Sequence, residues 1–108
     1  MDDWQPCFEA LNRQIEDGAE IEATVEVVTE LVDETEAERL PLDGITHEDG
    51  DDQIAVGLGG RGSRYPAVLW HFVDRPRRVS VVEDDGRPRA FVIESEDEAL
   101  TLVRLYER

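Results

Sequence analysis

The apolar residues of this 108-residue chain change period near Gly18, and that change limits the folds open to it. Before Gly18, the residues Trp4, Phe8, Leu11 and Ile15 recur at the spacing of one helical face. Asp2 or Asp3 can cap such a helix. Pro6 is tolerated in its first turn, where the N–H has no helical partner, and Gly18 is a natural stop. Cys7 flanks the apolar face, where packing accounts for it. After Gly18, Ile21, Ala23, Val25 and Val27 alternate with Glu20, Glu22, Thr24 and Glu26. A period of two describes a strand with one buried and one solvated face. A lone amphipathic helix followed by strand patterns can bury its stripe only against a sheet.

The remaining segments fill in that sheet. Residues 30–40 fit either a helical turn or a second strand paired to the first. Leu40-Pro41-Leu42 favours extended chain, because the residue before a proline is pushed out of the helical region. Residues 44–47, 48–51 and 53–58 read as strand, turn and strand, with Ile54, Val56 and Leu58 on one face. Pro66 predicts the start of a short helix near residues 66–74, with Val68, Leu69, Phe72 and Val73 apolar and Pro76 closing it. Residues 78–83 then turn at Asp85-Gly86 into residues 89–94. Ser95-x-x-Glu98 has the pattern of a helix capping box, while Leu100, Leu102, Val103 and Leu105 fit either period.

Charge divides the chain differently. Residues 1–57 hold eighteen acids against two arginines, residues 58–82 five arginines against one acid, and residues 83–108 eight acids against four arginines. The net charge is −16, and every cation is arginine. Such a surface repels itself at low salt. At about 1 M salt the screening length falls to ~3 Å and most of that repulsion is gone. The composition resembles that of cytosolic proteins from salt-in halophiles such as haloarchaea. Charged residues make up 35% of the chain, above the usual ~25%, yet the apolar residues are patterned, which argues against disorder. One cysteine, Cys7, permits no internal disulfide and fits a reducing compartment. No apolar run approaches the ~20 residues that span a bilayer, and the N-terminus lacks a secretory pattern, so a cytoplasmic location is expected.

Three groups of residues are candidates for function. The first is the arginine island: Arg61, Arg64, Arg75, Arg77 and Arg78, with Tyr65 and His71 among them. Guanidinium forks suit phosphate or carboxylate, and interleaved aromatics can stack bases. The same arginines can instead pair with the chain's own acids. The second group is Gly57-x-Gly59-x-x-Gly62 after a strand, with Glu83 further on, the order of a dinucleotide-binding turn. Tyr65-Pro66 interrupts the place where the helix should run, and the remaining chain is short for such a fold. The third is His47, Glu48, Asp49, Asp51 and Asp52, an oxygen-rich set that a hard cation would suit but that a polar turn explains more simply. No nucleophile, base and oxyanion donor come together: Cys7 lies on the first helix, and Ser63, Ser80 and Ser95 lack motif context.

Leu40-Pro41-Leu42-x-Gly44-Ile45-Thr46, an acidic turn at Asp51-Asp52 and Ile54-Ala55 form one half of a wider pattern. Leu69-x-His71-x-Val73-x-x-Pro76-x-x-Val79-x-Val81 forms the other, with Trp4 near the N-terminus. Together they resemble the small bacterial and archaeal proteins of the DUF5335 family of unknown function. The resemblance implies that residues 59–66 are an insertion and that the last segment is strand, turn and strand. It also marks His71, Pro76 and the Gly44-Ile45-Thr46 turn as family features. It supplies no activity. His47 stands where the family tends to an aromatic, so the resemblance lends no metal role to it.

These readings give an α+β domain spanning residues 1–108. An N-terminal helix packs on an antiparallel sheet of about five to seven strands. The sheet has the option of curling into a small barrel, and a short helix lies near residues 66–74. The expected role is a non-enzymatic module that binds a protein or assembles with itself, with no catalytic residue, metal or cofactor. Nucleic acid is the weaker candidate partner, and no membrane is expected. The alternative is a nucleotide or phosphate ligand at residues 57–64. The charge pattern predicts that thermal stability rises from low to molar KCl; a flat melting temperature across that range contradicts solvent adaptation.

Overall fold

The computed structural model describes residues 4–48, 50–61 and 65–107. One helix, α1 (Trp4–Glu16), precedes seven strands. These are β1 (Ile21–Val28), β2 (Asp33–Glu48), β3 (Gln53–Arg61), β4 (Tyr65–Asp74), β5 (Pro76–Asp84), β6 (Arg87–Ser95) and β7 (Leu100–Glu107). The helix buries the four residues that its spacing predicts, Trp4, Phe8, Leu11 and Ile15. Its end is fixed by two hydrogen bonds, from Ala19 N–H to the Gln14 carbonyl at 2.9 Å and from Gly18 N–H to the Ile15 carbonyl at 3.1 Å. Gly18 adopts φ 101°, so this is the glycine-terminated motif that a side chain would strain. The capping acids Asp2 and Asp3 lie outside the described residues.

The strands form one antiparallel sheet in the order β4-β3-β2-β1-β7-β6-β5. Its edges, β4 and β5, do not pair with each other, so the sheet curls without closing into a barrel. The sixteen-residue β2 belongs to both halves. Its first part pairs with β1, from Val28↔Asp33 to Glu22↔Pro41, and its second part pairs with β3, from Leu42↔Leu58 to Glu48↔Gln53. The change of partner is marked by Arg39 at φ 48°, by Pro41 and by a register shift between Leu42 and Gly44. Arg39 is steadied by its N–H on Thr24 Oγ1 at 3.0 Å, an ion pair with Glu22 at 3.1 Å and the Tyr106 ring 4.2 Å beneath its guanidinium.

The core fills the concave side. Phe91, Leu42, Ile45, Ile54, Leu58, Ile93, Val25, Val56 and Val103 are its largest fully buried side chains. Phe8 meets Phe91 edge to face at 5.0 Å, and Trp4 meets His47 in the same way at 5.2 Å. The helix therefore touches both halves of the sheet. Asn12 makes the tie polar. Its Nδ2 donates to the Ile45 carbonyl at 2.8 Å and its Oδ1 accepts from Ile45 N–H at 2.9 Å. A side-chain amide thus supplies both hydrogen bonds that a neighbouring strand would give.

One sequence expectation changes. Residues 66–74 are not a helix: they form β4, paired along its length with β3. Pro66 suits an edge strand as well as a helix start, and Trp70, Phe72 and Val73 favour the pleated state. Ile54 also needs a cross-strand cover, which Val73 provides. The last segment is the strand expected of it, β7 (Leu100–Glu107), entered by a tight turn at residues 95–98 in place of a capping box. Ser95 N–H bonds to the Ala99 carbonyl at 3.0 Å and Glu98 takes φ 71°, so the chain returns directly as β7. The Asp85-Gly86 turn is as expected, with φ 54° and 76°, the paired positive values of a two-residue hairpin.

Asn12→Ala leaves the Ile45 N–H and C=O without a partner beneath the helix. The expected loss is about 1–3 kcal/mol in denaturant unfolding at fixed salt. A loss indistinguishable from zero removes Asn12 from this role.

Candidate functional site

The described surface departs most from an ordinary acidic exterior along β4. As the sheet edge, β4 pairs with β3 and leaves its other side open. Val73, opposite Ile54, faces the core, as does the half-buried His71 opposite Val56. Trp70, opposite Gly57, and Phe72, opposite Ala55, lie on the outer face. Their rings stack at 6.5 Å with 23° between planes. Trp70, Phe72 and the nearby Leu69 are 51%, 52% and 57% exposed, although large aromatic groups usually find cover.

The glycine motif explains how the aromatic pair is seated. Gly57 lies within β3, and a Cβ placed there would come 2.8 Å from Trp70 Cζ3. The position is glycine because the indole lies against it. Gly59 and Gly60 have φ of 84° and 74°, beside a register shift between Gly59 and Arg61. This is a bulged strand end that only glycine enters without strain. Gly62 lies outside the described residues. The motif runs into β4, so among the described residues no helix N-terminus follows it to receive a phosphate. Glu83 sits on β5 and lines a separate cleft, to which Gly57 and Gly59 contribute nothing.

The arginine island is dispersed. Arg75, at φ 46°, is the single residue joining β4 to β5. Its N–H bonds to the Asp52 carbonyl at 2.8 Å, its carbonyl accepts from Glu96 N–H at 3.0 Å, and its side chain pairs with Glu96 at 3.3 Å. It is thus a corner piece. Arg77 and Arg78 open β5 on its exposed side, Arg78 across from Glu94, and among the described residues they form no ion pair. Arg61 ends β3, and only its backbone is described. Arg64 lies outside the described residues.

His71 has its charged form disfavoured. Burial pushes its imidazole below the ordinary value of 6.5, and the Glu36 carboxylate opposes that shift. Its contribution to stability is present above the unfolded value and fades as pH falls through the lowered folded value. His47 lies 3.6 Å from Asp52, and Asp49 is outside the described residues. Among the described residues, no three His, Cys, Asp or Glu side chains gather to hold a metal. No described helix is long and apolar enough to cross a membrane.

Two features escape sequence reasoning. One is a cleft of about 610 Å³ between α1 and the β5–β6 turn, with Cys7, Gln14, Glu83 and Arg89 on its walls. It arises only when distant segments pack, and no motif announces it. Two ion pairs gird it, Arg87–Glu107 at 3.0 Å and Arg89–Asp84 at 4.0 Å. The other is the outward aromatic pair. The available signal was the strand period: read by twos, residues 69–73 carry large apolar groups on both faces, and one layer of helix can cover only one of them.

A model of the DUF5335 family, described as a family of unknown function, matches residues 1–108, the whole chain. The chain belongs to this family. No curated protein and no solved structure matches it.

Gly57→Ala forces the Trp70 indole off its seat while sparing the core beneath. In a Trp4→Phe background, Trp70 emission should shift to the red and acrylamide quenching should rise, with far-ultraviolet circular dichroism unchanged. Unchanged emission and quenching contradict the contact.

Proposed function

We propose that this DUF5335 protein is a non-enzymatic binding module of the cytoplasm whose working surface is the open edge and outer face of β4. The observation that carries the reading is the stacked Trp70–Phe72 pair, more than half exposed on an unpaired strand edge. Natural sheets usually blunt such an edge with charges, short strands or cover. Here it bears aromatic groups, which form the centres of protein interfaces. An extended segment can add to a free edge through backbone hydrogen bonds and gain specificity from side-chain pockets.

The charge pattern supports the same assignment. Arg77 and Arg78 stand just past the corner that ends β4, in a chain of net charge −16. An acidic protein partner bearing apolar groups meets attraction there and repulsion over most of the remaining surface. Phosphate polymers meet the same net repulsion, and their contacts weaken steeply with salt. The acidic exterior and arginine-only cations fit a concentrated-salt cytoplasm, where bulk repulsion is screened and apolar contact sets affinity.

The test is a pull-down at native salt with three baits: wild type, Trp70→Ser/Phe72→Ser, and Val82→Ser as a control. Val82 is 51% exposed but lies on β5. The proteins enriched by wild type should fall by about tenfold or more with the double variant and persist with the control. Equal recovery by all three folded baits overturns the assignment.

A further inference from the structure

The cleft beside α1 has the size and the lining of a ligand site. Its volume of about 610 Å³ lies within the range of about 300–1,000 Å³ that small-molecule pockets occupy. Its apolar part is set by three buried side chains, Leu11 of α1, Ile21 of β1 and Leu105 of β7, with Pro88 of β6 beside them. On the helix side it meets Ala10, which is exposed, and Cys7, which is half-buried. No residue of β4 lines it, so it is separate from the surface assigned above.

The charges around the cleft choose the ligand. Three acids and two arginines line it. Arg87 is held by Glu107 at 3.0 Å, and Arg89 reaches Asp84 at 4.0 Å, so each arginine arrives with an acid of its own. Glu20 and Glu83 are left over: among the described residues neither makes an ion pair or a side-chain hydrogen bond. The local surplus is therefore negative, in a chain whose net charge of −16 already attracts cations. An anionic ligand would have to break an arginine pair and face both glutamates. A bare inorganic cation gains nothing from the apolar wall, and an uncharged apolar molecule gains nothing from the carboxylates.

We propose that this cleft binds an amphipathic organic cation, an amine with an apolar body, held by Glu20 and Glu83 at its rim and by Leu11, Ile21 and Leu105 beneath. Burial of the body supplies affinity, and a charge-assisted hydrogen bond from the ammonium to a carboxylate selects the head group. In about 1 M KCl the screening length of ~3 Å removes long-range attraction and leaves that direct contact.

Three probes that share one apolar body test it: phenylbutylammonium, phenylpentanoate and phenylbutanol, each titrated in molar KCl. Calorimetry gives the affinities. The rate at which iodoacetamide alkylates Cys7 reports occupancy, because Cys7 lines the cleft and is the chain's one cysteine. The ammonium probe should bind at least about tenfold more tightly than the other two and slow the alkylation. Glu20→Gln/Glu83→Gln should weaken it by about tenfold or more, to the level of the alcohol, and leave the alcohol unchanged. Ala10→Trp, at an exposed helix position, should fill the cleft and abolish binding of all three. Gln14→Trp replaces it if circular dichroism shows that variant unfolded. A carboxylate probe that binds as tightly as the amine overturns the charge assignment. Absence of binding by any probe overturns the site. Amine binding that survives Ala10→Trp overturns it in favour of adsorption elsewhere on the acidic surface.

Discussion

One strand serves two ladders, and the sheet depends on how that strand changes partners. Up to Pro41, β2 is hydrogen-bonded to β1; beyond the shift at Leu42 and Gly44 it is bonded to β3. Where β2 leaves β1, the backbone of Ile45 needs other partners in a region that the helix covers. An unpaired peptide group there costs about as much as a lost hydrogen bond. Asn12 answers from α1 with one donor and one acceptor. The same contact orients the helix. With Asn12 anchored on Ile45, Phe8 reaches Phe91 on β6 and Trp4 reaches His47 on β2, so the apolar stripe bridges both limbs of the curled sheet.

Much of this was legible from local pattern. The helical stripe, its glycine stop, the alternation in β1 and the Asp-Gly turn each follow from two or three neighbouring residues. β4 was misread because Pro66 suits two structures, and the choice rested on Ile54 and Val56, more than ten residues away, needing a neighbour. The glycine run misled for a related reason. Glycine marks a need for space or for an unusual φ without saying what fills the space. At Gly57 the occupant is an indole brought in by β4, and at Gly59 and Gly60 the need is a bulge. The cleft beside α1 had no local signal, since its walls come from α1, β1, β5, β6 and β7.

Charge was legible as a total and not as an arrangement. Arg39, Arg87, Arg89 and Arg104 each reach an acid, as Arg75 does at the corner. Exposed pairs of this kind contribute little to stability, typically below about 1 kcal/mol each. Their effect is on which surfaces tolerate an approaching body. A positive φ at Arg75 and its two backbone bonds show that a residue singled out for its guanidinium is held chiefly by its main chain.

The strand order carries a last consequence. Taken from β5 through β7 and on from β1 to β4, every hydrogen-bonded pair except β7–β1 joins strands that are neighbours in sequence. The fold is a cyclic meander cut at two different places: the chain is open between β7 and α1, and the sheet is open between β4 and β5. The last strand made therefore lies at the sheet's interior, between β1 and β6. No N-terminal portion can complete the sheet before β7 is available. The fold should form as a single late event, governed by the longest loop closure in the molecule.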